Sequence, residues 1–388
     1  MKIGILLTGR FPTEKAYGVT TSGTVKALVR AGHEVIVFGT KSNYIDASIS
    51  SEEYTLENYV ESCVTNKIKE FSYRGNGMAN KASWIVFWIL TMKSSKKKID
   101  SMRFDVIWIR DSLMLSHVTR KTKVIFEVHQ LVKKFSLITI RRFSKGNLLL
   151  APISKVIASQ LIKEDLGIPI QIAPMGISLD IIESDFGVNN YLNHLKNLHD
   201  NKYVGLRVGY IGKFSPNGYS KGVEDLLGLA KINSRLESNF RISLVGGTDS
   251  EILQMNSKLE QYGITTKEIE ISGHVGHARA IKMFKQLDVI VLPKPASQKY
   301  VGFPLKAIES IASGRVVVAA KCTVYEDIFD QDFQPFWYTA GDSASLNMAI
   351  RQAVNEEGLK LKLKSGLNFA LKFSWDDRTS RLLDALIC

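Results

Sequence analysis

One loop of the sequence combines glycines and lysines in a way that suits phosphate binding. Residues 212–222 follow an apolar run, contain Lys213 and Lys221, and lead into a helical pattern. Backbone N–H groups at the start of a helix bind phosphate, and lysines add positive point charges. The loop matches neither the Walker loop nor the Gly-x-Gly-x-x-Gly fingerprint. It therefore predicts either a diphosphate site or a solvated surface loop.

Two other residues could contact a ligand. Glu309 lies in a predicted helix within residues 302–314, beside its apolar face rather than opposite it. An ionised carboxylate only accepts hydrogen bonds, which suits two ribose hydroxyls; a charge stabilised by the helix dipole is the alternative. His129 follows the apolar run of residues 124–128, at a strand end where α/β proteins place functional side chains. A structural histidine that makes two hydrogen bonds is the alternative there.

The sequence predicts no metal site. Asp330 and Asp332 form an Asp-x-Asp pair of the kind that binds a hard cation, but no strand leads into their acidic loop. The three cysteines lie far apart and show neither metal-ligand spacing nor a disulfide framework. The motifs Cys-x-x-Cys, Gly-x-Ser-x-Gly and His-Glu-x-x-His are absent, which argues against redox, serine-hydrolase and zinc-protease chemistry.

Short apolar runs alternate with amphipathic stretches, which indicates parallel sheets with helices on both faces. We expect a loop at residues 9–18, a helix at 19–31, and another helix from about residue 223. We expect strands at residues 2–7, 35–39, 105–109, 124–128, 148–153, 171–173, 204–211, 241–245, 269–272, 289–292 and 316–319. The pattern restarts after an asparagine-rich stretch, which predicts two doubly wound domains, 1–185 and 203–370, joined by a linker at 186–202.

Taken in order, these stretches resemble the retaining glycosyltransferases of group 1, also called glycosyltransferase family 4, over nearly the whole chain. In the first half the resemblance rests on residues 11–18, 31–37, 104–110, 127–129, 153–154 and 174–176. In the second half it rests on residues 212–213, 221–222, 273–275, 288–293 and 373–375. The resemblance implies the GT-B fold, with two Rossmann-like doubly wound α/β domains facing across a cleft. It also implies a helix within residues 371–388 that returns to the first domain.

The resemblance implies roles for single residues as well. His129, Lys213 and Lys221 would act in catalysis, with the two lysines at the donor diphosphate and the histidine at the transferred sugar. The implied donor-binding residues are Gly18, Lys213, Lys221, Val275, Phe303, Pro304, Leu305 and Glu309. Gly18 would let the backbone approach the phosphates, and Glu309 would bind the ribose. No cofactor or metal is implied beyond the donor substrate, a UDP or GDP sugar.

One departure concerns a carboxylate that the family often carries eight residues before Glu309. Val301 stands there, and the neighbouring residues resemble a subset with the pattern Pro-x-Lys-x-x-Glu, represented by Pro304, Lys306 and Glu309. Either Lys306 and its neighbours recast the sugar contacts, or the donor differs, or activity is reduced. Met175 also stands where the family usually has Asn.

The net charge of +13 is concentrated in residues 81–145, which hold 15 basic and 4 acidic side chains. This excess favours an anionic partner, or it is solvated surface charge. Residues 84–98 join aromatic and apolar side chains to four lysines, which suits an interfacial helix at an anionic membrane or a core helix ending in lysines. The apolar run is shorter than the ~20 residues of a membrane span. With no signal-peptide pattern, we expect a cytoplasmic protein that can attach peripherally to the membrane.

The sequence thus predicts a metal-independent enzyme that moves a sugar from a nucleoside-diphosphate sugar to a glycan or lipid-linked acceptor, with retention of anomeric configuration. Two other functions stay open. A sugar-nucleotide 2-epimerase of the same fold would convert the donor without an acceptor. A catalytically weak partner subunit would bind nucleotide poorly and turn over only with another chain. No nucleic-acid-binding motif appears, so nucleic acid is not an expected partner.

Overall fold

The computed structural model describes residues 1–10, 16–40, 59–61, 96, 99–119, 121–143, 147–215, 219–235, 240–264, 268–295, 303–329 and 331–387. The chain divides into two compact units. Unit 1 comprises Met1–Gly176, Val301–Phe303 and Trp375–Cys388, so both ends of the chain contribute to it. Unit 2 comprises Ile177–Tyr300 and Pro304–Ser374.

Each unit contains a sheet of six parallel strands in its described part, with the orders β3-β2-β1-β4-β5-β6 and β12-β11-β10-β7-β8-β9. The strands of unit 1 are β1 (Lys2–Arg10), β2 (Glu34–Thr40), β3 (Tyr59–Glu61), β4 (Val106–Ile109), β5 (Lys123–Val128) and β6 (Leu148–Pro152). The strands of unit 2 are β7 (Arg207–Ile211), β8 (Arg241–Gly247), β9 (Ile269–Gly273), β10 (Val289–Leu292), β11 (Val316–Lys321) and β12 (Phe336–Thr339).

Helices join the strands in both units. They are α1 (Ala16–Arg30), α2 (Lys134–Phe143), α3 (Lys155–Lys163), α4 (Asp185–Asp200), α5 (Glu224–Asn233), α6 (Asp249–Gln261), α7 (His277–Phe284), α8 (Leu305–Ala312), α9 (Thr323–Glu326), α10 (Ser343–Val354), α11 (Leu359–Leu371) and α12 (Trp375–Ile387). Short 3-10 helices lie at Ser112–His117 and Leu179–Ile181. Every residue of the central strands β4 and β10 is buried, because helices cover both faces of a doubly wound sheet.

The strand orders place one topological switch point in each unit. It lies between β1 and β4 in unit 1 and between β7 and β10 in unit 2, where the chain turns from one half of the sheet to the other. Ligands of doubly wound sheets bind beyond the carboxyl ends of the strands at this point. The residues that directly follow these strands are therefore candidates for ligand binding.

Helix α4 occupies most of the segment that the sequence predicts as a linker, residues 186–202. Its Val188, Tyr191 and Leu195 are buried in the core of unit 2 and recur at the spacing of one helical face. The asparagines of this helix obscured that face in the sequence, since they resemble loop composition. The boundary between the units lies earlier, between Gly176 and Ile177.

Other elements differ from the sequence-based expectations at their ends. Helix α1 begins at Ala16 rather than residue 19, so Gly18 lies in the first turn of a helix rather than in a loop. Residues 171–173 form no strand, and Ile170 makes only a single bridge to Leu150. The edge strands β3 and β12 were not predicted.

Several predicted features lie outside the described residues. They are residues 11–15, 84–95 and 216–218, together with Val301, Asp330, Cys63 and Cys388. Within the described ranges, no helix is long and apolar enough to cross a membrane. In those same ranges, no group of three or more His, Cys, Asp or Glu side chains is placed to hold a metal ion.

Candidate functional site

The switch point of unit 2 carries the lysine-containing loop. Gly212 and Lys213 directly follow β7, and the Gly212 N–H donates to the carbonyl of Val245 at 2.7 Å. A Cβ at Gly246, which has a φ of +121°, would lie 2.4 Å from the Gly212 oxygen. Glycine is therefore required where β8 passes this turn.

The side chain of Lys213 is exposed at the turn, and its backbone carbonyl accepts a hydrogen bond from a buried side chain. The buried Tyr210 donates its hydroxyl to the Lys213 carbonyl at 3.1 Å. The next residue, Phe214, is fully buried in the core of unit 2. This alternation anchors the main chain and leaves the ammonium group of Lys213 at the surface, where it can meet an anionic ligand.

Lys221 lies at the far end of the loop, beside Lys294. Gly222 has a φ of +77°, and a Cβ there would lie 2.9 Å from the Lys294 carbonyl carbon. Only glycine combines this conformation with such an approach. The amino groups of Lys221 and Lys294 are hydrogen-bonded to each other. Lys294 lies just beyond the end of β10, on the other side of the switch point from Lys213.

A third lysine joins this cluster from α8. Lys306 lies in the first turn of the helix, and its Cε would be 2.9 Å from a Cβ at Gly212. Its charge acts on both Lys221 and Glu309. Burial lowers the pKa of Lys221, and the nearby Lys306 lowers it further. We refer to Lys221, Lys294 and Lys306 as the lysine cluster.

Glu309 is buried on α8 and is paired with a histidine. His277, the first residue of α7, lies with Nε2 2.6 Å from Oε1 of Glu309. Burial raises the pKa of Glu309, but His277 and Lys306 outweigh it and hold the pKa below its usual value. An ionised carboxylate has about four acceptor sites, so the contact with His277 leaves capacity for ribose hydroxyls.

The remaining predicted donor-binding residues lie directly before α7 and at the start of α8. Val275 is half-buried in the turn between β9 and α7. Phe303 is buried, Pro304 is the N-cap of α8, and Leu305 is the first residue of that helix. The proline at the cap suits the helix start, where the first N–H groups have no intrahelical acceptor.

In unit 1, His129 lies beyond the end of β5 and contacts a buried glutamate. Nε2 of His129 is 2.9 Å from Oε2 of Glu127, a side chain with no exposed surface. The same carboxylate forms ion pairs of 2.7 Å with Arg110, which follows β4, and with Arg378 of α12. Arg378 also donates to the carbonyl of Pro174 at 2.8 Å.

These charges set the protonation of the pair. Burial raises the pKa of Glu127, but Arg110 and Arg378 outweigh it and hold the pKa well below the usual value. Burial lowers the pKa of His129, and this effect exceeds the opposing effect of the hydrogen bond that the ring donates to Glu127. The carboxylate can only accept, so the neutral ring donates its Nε2–H and leaves Nδ1 as an acceptor.

Gly18 lies near the same network through α1. Arg110 donates to the hydroxyls of Thr20 and Thr21, each at 2.9 Å, and to the Tyr17 carbonyl at 3.4 Å. The start of α1 is thus attached to the switch point of unit 1, at which β4 ends.

The structure brings some predicted residues together and identifies others. Lys221 and Glu309 meet through Lys306 in unit 2, with Lys213 at the neighbouring turn, whereas His129 and Gly18 belong to unit 1. Sequence reasoning assigned no role to the contacting residues Arg110, Glu127, His277, Lys294 and Arg378. Arg110 and Glu127 stand inside matched stretches and could have been found, but Arg378 and Lys294 carry no signal that separates them from surface charges.

Comparisons with known proteins agree with this architecture. Residues 205–356 match a family model described as Glycosyl transferases group 1. No curated protein sequence matches the chain. The structure resembles sucrose-phosphate synthase from Thermosynechococcus elongatus with a TM-score of 0.68 and 15% identity, covering 99% of this chain and 98% of that one.

Two further solved structures are similar over the full length. HepE from Anabaena, in complex with UDP and glucose, has a TM-score of 0.65 and 13% identity, covering 100% of this chain and 99% of that one. A glycosyltransferase from Rickettsia africae has a TM-score of 0.68 and 14% identity, covering 99% and 97%. The chain thus has the GT-B fold of these structures, and residues 205–356 of unit 2 resemble the group 1 glycosyl transferases.

Proposed function

We propose that the chain transfers a sugar from a nucleoside-diphosphate sugar, with UDP or GDP as the nucleotide, to a glycan or lipid-linked acceptor. The observation that carries this proposal is the lysine cluster beside Glu309 at the switch point of unit 2. Cations suit a diphosphate, and a buried ionised carboxylate suits ribose hydroxyls. The similar protein HepE, solved with UDP and with UDP-glucose, supports the assignment of a nucleotide sugar.

The proposed chemistry follows from where charge develops. When the anomeric bond breaks, the departing nucleoside diphosphate gains negative charge. Ammonium groups already in place stabilise that charge as it forms, which commonly contributes several kcal/mol. Lys213 and Lys221 can supply this stabilisation in place of a metal ion's Lewis acidity, so we propose a metal-independent transfer. By resemblance to its group we further propose retention of configuration, which an inverted product in NMR would exclude.

His129 is proposed to contact the transferred sugar. Its Nε2–H is directed to Glu127, so Nδ1 can accept a hydrogen bond from a sugar hydroxyl. A neutral ring suits this role, because an imidazolium has no acceptor atom.

A thermal-shift experiment tests the donor site. UDP, GDP and ADP are added to the wild type and to Lys213→Ala with EDTA present, and Lys258→Ala serves as a control because Lys258 is an exposed residue of α6. A ligand at a hundredfold excess over its Kd stabilises the folded state by about 2.7 kcal/mol. We expect UDP or GDP to stabilise the wild type and the control, and Lys213→Ala to lose the shift.

If no nucleotide stabilises the wild type, the donor assignment fails and the chain is better described as a partner subunit. If the bound donor is converted to its 2-epimer without an acceptor, the epimerase alternative replaces transfer. These outcomes are distinct, since the first concerns binding and the second concerns the product.

For the acceptor side, an exposed surface on α2 and the residues directly before it supports attachment to an anionic membrane. Leu131, Phe135 and Ile138 are 45%, 67% and 48% exposed, and the latter two lie one helical turn apart. Exposed basic side chains flank them: Lys133, Lys134, Arg141 and Arg142. An apolar stripe with basic flanks is typical of helices that lie in the interface of an anionic bilayer.

Liposome flotation tests this surface. We expect the wild type to float with vesicles that contain phosphatidylglycerol and not with neutral vesicles, because basic side chains add attraction to anionic headgroups. Phe135→Ser should reduce flotation, whereas Leu361→Ser, at a similarly exposed apolar residue of α11, should not. Equal flotation with neutral lipid, or none with anionic lipid, contradicts the membrane proposal.

A further inference from the structure

Lys294 is a lysine in an unusual setting. Its side chain is 2% exposed, at the carboxyl end of a central strand, although lysine is almost never fully buried without a partner. Gly222 and Lys221 cover it from the loop after β7. Burying a charged ammonium group costs free energy unless the charge is paired or the group becomes neutral.

The contact between Lys294 and Lys221 limits their combined charge. An ammonium group has three donors and no acceptor, so two amines share a hydrogen bond only when one of them is neutral. Burial and the charge of Lys221 lower the pKa of Lys294 to about 7. Lys294 is therefore the neutral member and accepts from Lys221 above neutral pH.

Among the described residues, Lys221 and Cys322 act on the charge of Lys294. Cys322, after β11, interacts with it, but burial raises the pKa of this thiol, which is neutral at pH 7. Glu326 of α9 and Tyr338 of β12 act on Cys322, and Lys306 of α8 acts on Lys221. Burial and the charge of Lys221 thus favour the neutral form of Lys294.

We propose that Lys294 takes up a proton when a nucleoside diphosphate binds, so that donor binding at the lysine cluster is coupled to protonation. This inference rests on the proposed donor site. A diphosphate beside the cluster accepts hydrogen bonds from the Lys221 ammonium group. Lys221 then no longer needs the neutral amine of Lys294 as its acceptor. Its negative charge then favours the ammonium form of Lys294. The lysine cluster therefore gains its third positive charge when the anion binds.

Isothermal titration calorimetry measures the uptake directly. UDP and GDP are titrated at pH 8 in two buffers of different ionisation enthalpy, and the difference in observed heat gives the number of protons exchanged. We expect the wild type to take up about one proton per nucleotide at this pH. Lys294→Met and Lys294→Arg should take up none, because methionine does not ionise and arginine is already charged. Lys282→Met, at an exposed lysine of α7, should behave like the wild type.

The pH dependence of wild-type affinity provides a measurement that needs no variant. Between pH 7.5 and 9 we expect the affinity to fall by up to about tenfold per pH unit, since each bound nucleotide requires a proton. Binding without proton uptake and with a flat pH profile overturns the inference and leaves the donor site intact. Uptake that persists in Lys294→Met overturns it as well. Absence of any nucleotide binding removes the proposed function and the inference together.

Discussion

Nε2 of His129 lies 2.9 Å from the Glu127 carboxylate, at the end of strand β5. Because that carboxylate also pairs with Arg110 and Arg378, one buried charge connects the β4 and β5 strand ends with the last helix of the chain. The orientation of the histidine is thus coupled to the docking of α12 on unit 1.

Glu127→Gln should destabilise the protein by about 3 kcal/mol, because it leaves two buried guanidinium groups without their counter-charge. Urea denaturation at pH 7 measures the free energy of unfolding. Glu164→Gln is the matched control, since Glu164 pairs with Arg141 at the surface and such pairs contribute less than about 1 kcal/mol. Equal costs for the two variants would show that the Glu127 network contributes no more than a surface ion pair.

His129 should titrate below its usual pKa of 6.5, because burial disfavours the imidazolium. As the pH falls below 6.5, the unfolded chain binds the proton first, so this residue lowers the free energy of unfolding in acid. Nitrogen NMR of labelled histidine gives the midpoint and the tautomer. In Glu127→Gln the midpoint should fall further, since the carboxylate favours the charged ring. A wild-type midpoint above 6.5 contradicts this.

Lys294→Met should stabilise the protein most at and below neutral pH. The pKa of Lys294 is lowered from 10.5 to about 7, so the unfolded state binds its proton first as the pH falls between these values. The wild type loses stability across that interval, and methionine removes the loss. Melting temperatures of both proteins at pH 7 and 9.5 test this: the advantage of the variant should shrink at the higher pH. If the melting temperatures of the variant and the wild type differ by the same amount at both pH values, the cause of the difference lies in packing.

Glu309→Gln should abolish discrimination between a nucleotide and its 2′-deoxy analogue. Hydrogen bonds to charged groups contribute about 1.5–3 kcal/mol, so the wild type should bind the ribose form at least about tenfold more tightly. His277→Gln, which removes the partner of Glu309 but keeps the carboxylate, should retain most of the preference. Direct binding measurements with both ligands decide, and an unchanged preference in Glu309→Gln assigns the ribose contact elsewhere.

Gly23→Ala should cost about 1–3 kcal/mol, because a Cβ there would lie 2.3 Å from the Trp375 ring. Alanine normally favours a helix interior such as that of α1, so propensity alone predicts the opposite sign. In a Trp375→Leu background the cost should shrink, which a double-mutant cycle of unfolding free energies measures. A cost that is independent of Trp375 would place its cause outside this contact.

The sequence by itself determined the fold class and most strands of both sheets. Continuous apolar runs such as those at β4 and β10 are unambiguous, since strands of a doubly wound sheet are buried on both faces. The order of its motifs also indicated the glycosyltransferase group and brought Lys213, Lys221 and Glu309 to attention. The sequence did not predict α4, because asparagines on the exposed face of this helix resemble the composition of a loop, although the helix buries Val188 and Tyr191.

Tertiary structure alone decided which charges meet. Arg378 and Glu127 are separated by most of the chain, and only the return of α12 to unit 1 brings them within 2.7 Å. Likewise, Lys294 resembles any lysine after a strand until the positive φ of Gly222 places Lys221 against it. Pattern and propensity are local properties of the sequence, whereas pKa values depend on burial and on neighbours that the fold brings from distant positions.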